Sequence, residues 1–166
     1  MRRGEPDDRL PAPPSDGSLT PMRRSELHDL VASRLEAVAQ RYTTARRALV
    51  DVLADAAAPI TTAAIAERNR SLTTSSTYRN LAVLEEAGIV RRLVTSAEHA
   101  SFELAEDLTE HHHHMICSSC GSVRDVTLPE ALERELDRAL ARLAKRNDFA
   151  VREHRLDLVG VCGSCN

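Results

Sequence analysis

The chain has 166 residues, with 22 Lys+Arg against 25 Asp+Glu, seven His and a formal net charge of −3. At 42% apolar and 28% charged it can bury a core, which excludes wholesale disorder. Without an apolar run of about 18 residues or an apolar leader, it is expected to lack a membrane segment and to be cytoplasmic.

Aromatic residues make up only 2% and Trp is absent, which argues against a stacking platform for single strands. Residues 1–95 carry 14 basic and 12 acidic side chains and residues 96–166 carry 8 and 13, a basic half followed by an acidic one. That asymmetry suggests polyanion contact first and cation binding second.

Residues 1–24 hold five of the seven prolines and no apolar period, so a disordered arm is expected. From Ser25 a helix carries Leu27, Leu30, Val31, Leu35 and Val38 at helical spacing. His28 on it reads as a surface residue. A second helix follows Thr43 or Thr44, places Ala45, Ala48, Leu49, Val52 and Leu53 on one face, and stops at Pro59. Thr61 or Thr62 caps a short third helix through Arg70. Thr74, Ser75 and Ser76 offer a cap to a fourth, which carries Tyr78, Leu81, Leu84 and Ala87 and ends at Gly88. Ile89–Thr95 and Ala100–Leu104 read as two strands around a turn at Ser96–His99.

Three short helices and a hairpin make a winged helix-turn-helix pattern, with residues 75–87 as the recognition helix. Its first turn presents Ser75, Ser76, Tyr78, Arg79 and Asn80. Hydroxyls at a helix N-terminus suit phosphate, and Tyr78 and Arg79 can reach base edges or backbone. Thr77 belongs to the same candidate set, and Arg46 and Arg47 are supporting phosphate contacts. Residues 106–110 form an acidic link. Beyond it come a strand at His111–Ile116, a turn at Cys117–Gly121, a strand to Val126, a long helix from Pro129 with Leu132, Leu136, Leu140 and Leu143, and a final strand over Phe149–Val161. A unit this small needs a metal or a partner to be stable.

The four cysteines fall as Cys117-x2-Cys120 and Cys162-x2-Cys165, the spacing of a closed tetrahedral thiolate site for structural Zn2+. The run His111-His112-His113-His114, if extended, alternates between faces. His112 and His114 then share one site, with Glu103 and with His99, Glu106 or Asp107 close in sequence. His111 and His113 share another with His154 and Glu133, for which Glu130 and Asp137 compete. Such mixed donors suit zinc, iron(II), manganese or nickel.

The segments HHHHMICSSCG at 111–121, EHRLDLVGVCGSC at 153–165 and STYRNLAVLEEAGIV at 76–90 together resemble the ferric uptake regulator family. The resemblance implies an α+β chain. A winged helix over 25–105 would be joined by a hinge at 106–110 to a small α/β metal-binding dimerisation domain over 111–166. It implies a metal-dependent repressor of metal-homeostasis or peroxide-stress genes, bound as a homodimer to an AT-rich inverted repeat in double-stranded DNA, and not an enzyme. It assigns DNA contacts to Tyr78, Arg79 and Arg46, beside the candidates Ser76 and Thr77, and structural Zn2+ to Cys117, Cys120, Cys162 and Cys165. A sensory site falls to His112, His114, Glu103 and His99, and a second site to His111, His113, Glu133 and His154, with regulatory Fe2+, Zn2+ or Mn2+.

The chain departs from the family pattern in places. No His stands in Pro59-Ile60-Thr61-Thr62, where many members complete the sensory site, and His99 is the substitute on hand. Asp125 stands where peroxide-sensing members place a metal-binding Asp. The extra hinge Cys of zinc-sensing members is missing. The rival reading is a metal buffer or redox module with no DNA role. A metalloenzyme finds no H-E-x-x-H and no nucleophile motif.

Overall fold

The computed structural model describes residues 23–94 and 100–166. The expected arm falls outside them except for its last two residues, and so do the turn at 96–99 and His99. Arg24 already belongs to helix α1 (Arg24–Ala37), which starts one residue before Ser25, and Glu26 accepts the Arg23 backbone N–H at 3.2 Å. Helices α2 (Thr44–Ala54), α3 (Thr62–Arg68) and α4 (Thr74–Glu86) follow. Each begins behind a threonine whose hydroxyl accepts a first-turn N–H: Thr43 from Arg46, Thr61 from Ala64 and Thr73 from Ser76. Such caps satisfy donors that have no partner inside the helix. The cap of α4 is therefore Thr73, one residue before the expected cluster.

Gly88 ends α4 at φ +65°. Its N–H donates to Glu85 O at 3.0 Å and that of Ile89 to Leu84 O at 2.8 Å, the paired bonds that close a helix through a left-handed residue. The chain then turns directly into strand β2 (Val90–Val94), which pairs antiparallel with β3 (Ala100–Leu104). A short strand β1 (Ile60–Thr61), hidden from periodicity by its two-residue length, adds to the other edge of β3. Val31, Leu35, Leu49, Leu81, Leu84 and Phe102 join α1, α2, α4 and this sheet in one apolar core. His28 lies inside it and not on the surface. Its Nδ1 meets the Tyr42 hydroxyl at 2.6 Å and its Nε2 meets Asp51 at 3.0 Å, so both ring nitrogens are satisfied. Burial is the leading cause that pushes the Tyr42 hydroxyl up to about 12.

The acidic link is a single 3-10 turn at Glu106–Leu108, not an open tether. Leu108 inserts into the first core, and Arg34 on α1 binds Asp107. Beyond it, β4 (His113–Cys117) is the centre of a second sheet. It pairs antiparallel with β5 (Val123–Val126) and parallel with β6 (Asp157–Gly160). The expected strand at 149–161 shrinks to those four residues because only they find a register on the short β4.

Helix α5 (Glu130–Arg146) carries Leu132, Leu136, Leu140 and Leu143, yet Ala144 is its sole buried residue. Leu132, Leu143, Leu158, Val159 and Val161 stand exposed. No helix among the described residues is long and apolar enough to cross a membrane.

Candidate functional site: metal centres and a nucleic-acid face

Among the described residues three donor clusters form, and each keeps its ligand atoms within 4.8 Å of one another. The first gathers Cys117, Cys120, Cys162 and Cys165. The β4–β6 pairing delivers the second cysteine pair to the first, aided by the Cys162 N–H donating to Cys117 Sγ at 3.3 Å. The Sγ atoms of Cys120 and Cys162 lie 3.8 Å apart, with all four thiols free. A tetrahedron with Zn–S near 2.3 Å has an edge of about 3.75 Å, so this donor set suits Zn2+. Backbone N–H groups of Cys120 and Cys162 pull the Cys117 thiol down to about 6, toward the thiolate a metal needs.

The strand expected from His111 starts at His113, yet alternation along β4 and the two residues before it sorts the histidine run as expected. His112 and His114 share one face with ring centroids 5.0 Å apart; His111 and His113 share the other at 4.8 Å. On the second face Glu133 of α5 enters, with its Oε1 2.6 Å from His113 Nε2 and 3.5 Å from His111 Nε2. His154 arrives from the segment before β6, not from a strand, and its Nε2 lies 3.4 Å from Glu133 Oε2. Both of those atoms are buried without a hydrogen-bond partner. Orphaned buried polar atoms are costly unless a further group satisfies them, and a carboxylate oxygen beside imidazole nitrogens suits a cation. Among the three competing carboxylates, Glu133 enters the cluster. Glu130 pairs with Arg134 on the helix surface, and Asp137 instead takes the outer nitrogen of His154 at 3.2 Å.

The first face joins the two sheets. Glu103 on β3 places Oε2 3.2 Å from His112 Nε2 and 3.0 Å from His114 Nε2. Asp125, the β5 partner of His114, approaches it within 3.7 Å and completes the cluster of four. His112 donates its outer N–H to the Glu110 carbonyl at 2.8 Å, which leaves Nε2 facing the site. Burial alone would raise the Glu103 carboxyl. Hydrogen bonds from His112 and His114 and the Arg91 charge outweigh that and hold it near 2. The hydrogen bond to Glu103 lifts His112 to about 9 against the opposing effect of burial.

Sequence reasoning left Asp125 out of the sensory set and missed both Arg91 and Asp157 beside His114. Arg91 is the cross-strand partner of Glu103, and Asp157 is the β6 partner of His114. Strand pairing was the signal for all three, and register cannot be read from one strand alone.

Elsewhere on the first lobe, α4 presents Tyr78 at 54% exposure, with Ser75 and Arg79 also exposed and Ser76 half-buried. The Thr62 hydroxyl donates to the Tyr78 oxygen at 3.1 Å, which leaves the phenolic proton available. One expectation needs correction here. Thr77 is fully buried on the core side of α4, one helical turn before Leu81. Arg46 is half-buried and shares its guanidinium among Asn80, Gln40 and the Arg41 carbonyl, so it braces α2 against α4. Arg47 beside it is exposed.

A winged helix with an open recognition helix, joined to a lobe built on metal-ligating clusters, defines a metal-responsive DNA-binding regulator. The chain matches the ferric uptake regulator family over residues 37–159. The ferric uptake regulation protein of Bordetella parapertussis is 33% identical over 102 residues, which is 61% of this chain and 68% of that protein. That of Campylobacter jejuni is 35% identical over 101 residues, covering 61% of this chain and 60% of its own length. The peroxide-responsive repressor PerR of Staphylococcus aureus is 33% identical over 96 residues, covering 57% and 59%. In fold, the chain is similar to the Helicobacter pylori ferric uptake regulator at a TM-score of 0.66 and 21% identity, over 86% of this chain and 93% of that one. The chain belongs to the ferric uptake regulator family.

Proposed function

We propose that this metal-dependent DNA-binding repressor works as a twofold clamp whose opening is set at the Glu103–His112–His114–Asp125 cluster. One observation carries the reading: a carboxylate of the first sheet meets two imidazoles of the second within 3.2 Å. A divalent cation held there, Fe2+, Zn2+ or Mn2+, would supply the charge that ties the two lobes together. The Cys117/Cys120/Cys162/Cys165 set holds structural Zn2+ and fastens the chain end to β4. His111, His113, Glu133 and His154 anchor α5 to the same sheet. The exposed leucines of α5 and the apolar edge of β6 dock a second copy of the chain, giving a homodimer with two recognition helices. Residues 106–110 serve as the hinge between the lobe over 25–105 and that over 111–166.

In that dimer Tyr78 and Arg79 enter successive major grooves of an AT-rich inverted repeat, and Ser76 and Arg47 contact phosphate. Glu103 and the two histidines then favour one lobe angle over others, and the site is linked to DNA affinity by the difference between those states. The genes controlled serve metal homeostasis or peroxide defence.

Fluorescence anisotropy on a labelled AT-rich inverted repeat tests this. Chelation at the sensory cluster should weaken binding by a coupling factor of about 5–150-fold, and reloading should restore it. His112→Ala with His114→Ala should bind at the chelated level in either condition. Affinity indifferent to chelation and to both substitutions would overturn the reading.

A further inference from the structure

Three of the five clustered histidines have the nitrogen that faces away from the donor group held by a neighbour, and that of His113 is buried without a partner. His112 uses the Glu110 carbonyl, His111 uses Glu106 and His154 uses Asp137. His114 differs, because two groups of opposite character claim its Nδ1. Arg91 NH2 lies 3.2 Å from that atom and Asp157 Oδ1 lies 3.3 Å from it. A guanidinium has only donors and an ionised carboxylate only acceptors. Nδ1 therefore accepts from Arg91 or donates to Asp157, and it cannot do both at once.

The two bonds have opposite consequences across the ring. When Nδ1 accepts from Arg91, the ring proton sits on Nε2 and points at Glu103 Oε2, 3.0 Å away, so no lone pair faces the cluster. When Nδ1–H donates to Asp157, the Nε2 lone pair is free to act as a ligand, and the orienting carboxylate makes the ring a better one. The exchange moves a proton from one nitrogen to the other through solvent and leaves the proton count unchanged. Arg91 is also bound by its Nε to Glu103 Oε1 at 2.8 Å, and its side chain is 17% exposed. Its charge is permanent. It sits where positive charge is wanted while the cluster is empty, and it repels any cation that arrives.

We propose that Arg91 and Asp157 form a selector on His114. Arg91 is a resident cation that holds the empty cluster together and competes with the incoming metal, and Asp157 is the positioning residue that turns His114 into a ligand. Cation affinity at this site is thus set by a balance between a β2 residue and a β6 residue, neither of which is itself a ligand. The proposal rests on the reading of this cluster as the sensory site.

The test uses the full chain with its cysteine cluster loaded with Zn2+, titrated with Co2+ and followed by d–d absorption. The His112→Ala/His114→Ala variant run in parallel reports the signal of the second site. Arg91→Met should tighten Co2+ binding at the sensory cluster about tenfold while it lowers the thermal midpoint of the cation-free protein. A residue of merely structural value would lower both. Arg91→Lys, which keeps the charge, should stay near wild type. Asp157→Ala should weaken Co2+ binding about 10–100-fold, with Asp157→Asn between the two, because its amide oxygen still accepts the Nδ1 proton. Weaker or unchanged binding in Arg91→Met, or unchanged binding in Asp157→Ala, overturns the selector. A wild-type protein with no Co2+ signal beyond the parallel variant overturns the sensory reading itself.

Discussion

The two lobes of this chain are held together by different physics. The first closes α1 to α4 and a three-stranded sheet over Leu35, Leu49, Leu81, Leu84 and Phe102, all buried. The second buries Ile116, Cys117 and Ala144 among its apolar side chains, and its deepest residues are His113 and His114, each 1% exposed. Apolar burial suffices for the first lobe. In the second, polar ligands occupy positions that a core would give to leucine, so order depends on what those ligands hold and on what covers α5 and β6. A lobe that is well formed only when loaded is suited to sensing, whereas a lobe that must fit a rigid duplex benefits from a core that does not change.

The largest expected effect follows from removing the metal of the cysteine cluster. Structural zinc contributes an apparent ~10–16 kcal/mol in small domains. Cys162→Ser, or strong chelation, should abolish hydrogen-exchange protection in β4, β5 and β6 while α2 and α4 keep theirs. Equal loss in both lobes would break the comparison. Leu84→Ala should act in the opposite place, destabilising the winged helix by about 2–5 kcal/mol through a core cavity. Leu132→Asp with Leu143→Asp should leave that helix bundle intact and convert the dimer to monomer in sedimentation equilibrium. Arg79→Ala should cost about 1–3 kcal/mol of operator affinity with no change in thermal midpoint.

A smaller effect sharpens the contrast at the seam between the lobes. His112 is raised from 6.5 to about 9 by Glu103, so its share of stability is complete below 6.5 and is lost as pH rises to about 9. Glu103 is lowered from 4.5 to about 2, so its share is present above 4.5 and is lost as pH falls to about 2. The thermal midpoint of cation-free protein should therefore fall between pH 6.5 and 9. His112→Gln should remove that slope.

The same division explains what the sequence revealed. The helices of the first lobe were legible because Leu27, Val31 and Leu35, or Leu81 and Leu84, repeat with the helical period and end at Gly88. The metal clusters were legible because Cys-x2-Cys spacing and strict alternation along the histidine run are local properties of the chain. Thr77 was misread because its place in the first turn does not say which way its side chain faces, and it faces the core. Asp125, Asp157 and Arg91 reach His114 only through pairing of β5, β6 and β3 with their neighbours, contacts set by tertiary register. His28 was misplaced because its two partners, Tyr42 and Asp51, lie 14 and 23 residues away.

The central claim is that the Glu103–His112–His114–Asp125 cluster sets the angle between the lobes and hence the spacing of the recognition helices. Nitroxide labels carried by an unnatural amino acid at position 75, one on each copy of the dimer, would measure that spacing by pulsed dipolar spectroscopy. The account predicts a broad distribution in cation-free protein that collapses on loading to a single narrow peak, fit for grooves about 34 Å apart. A distribution that is the same with and without the cation would contradict it.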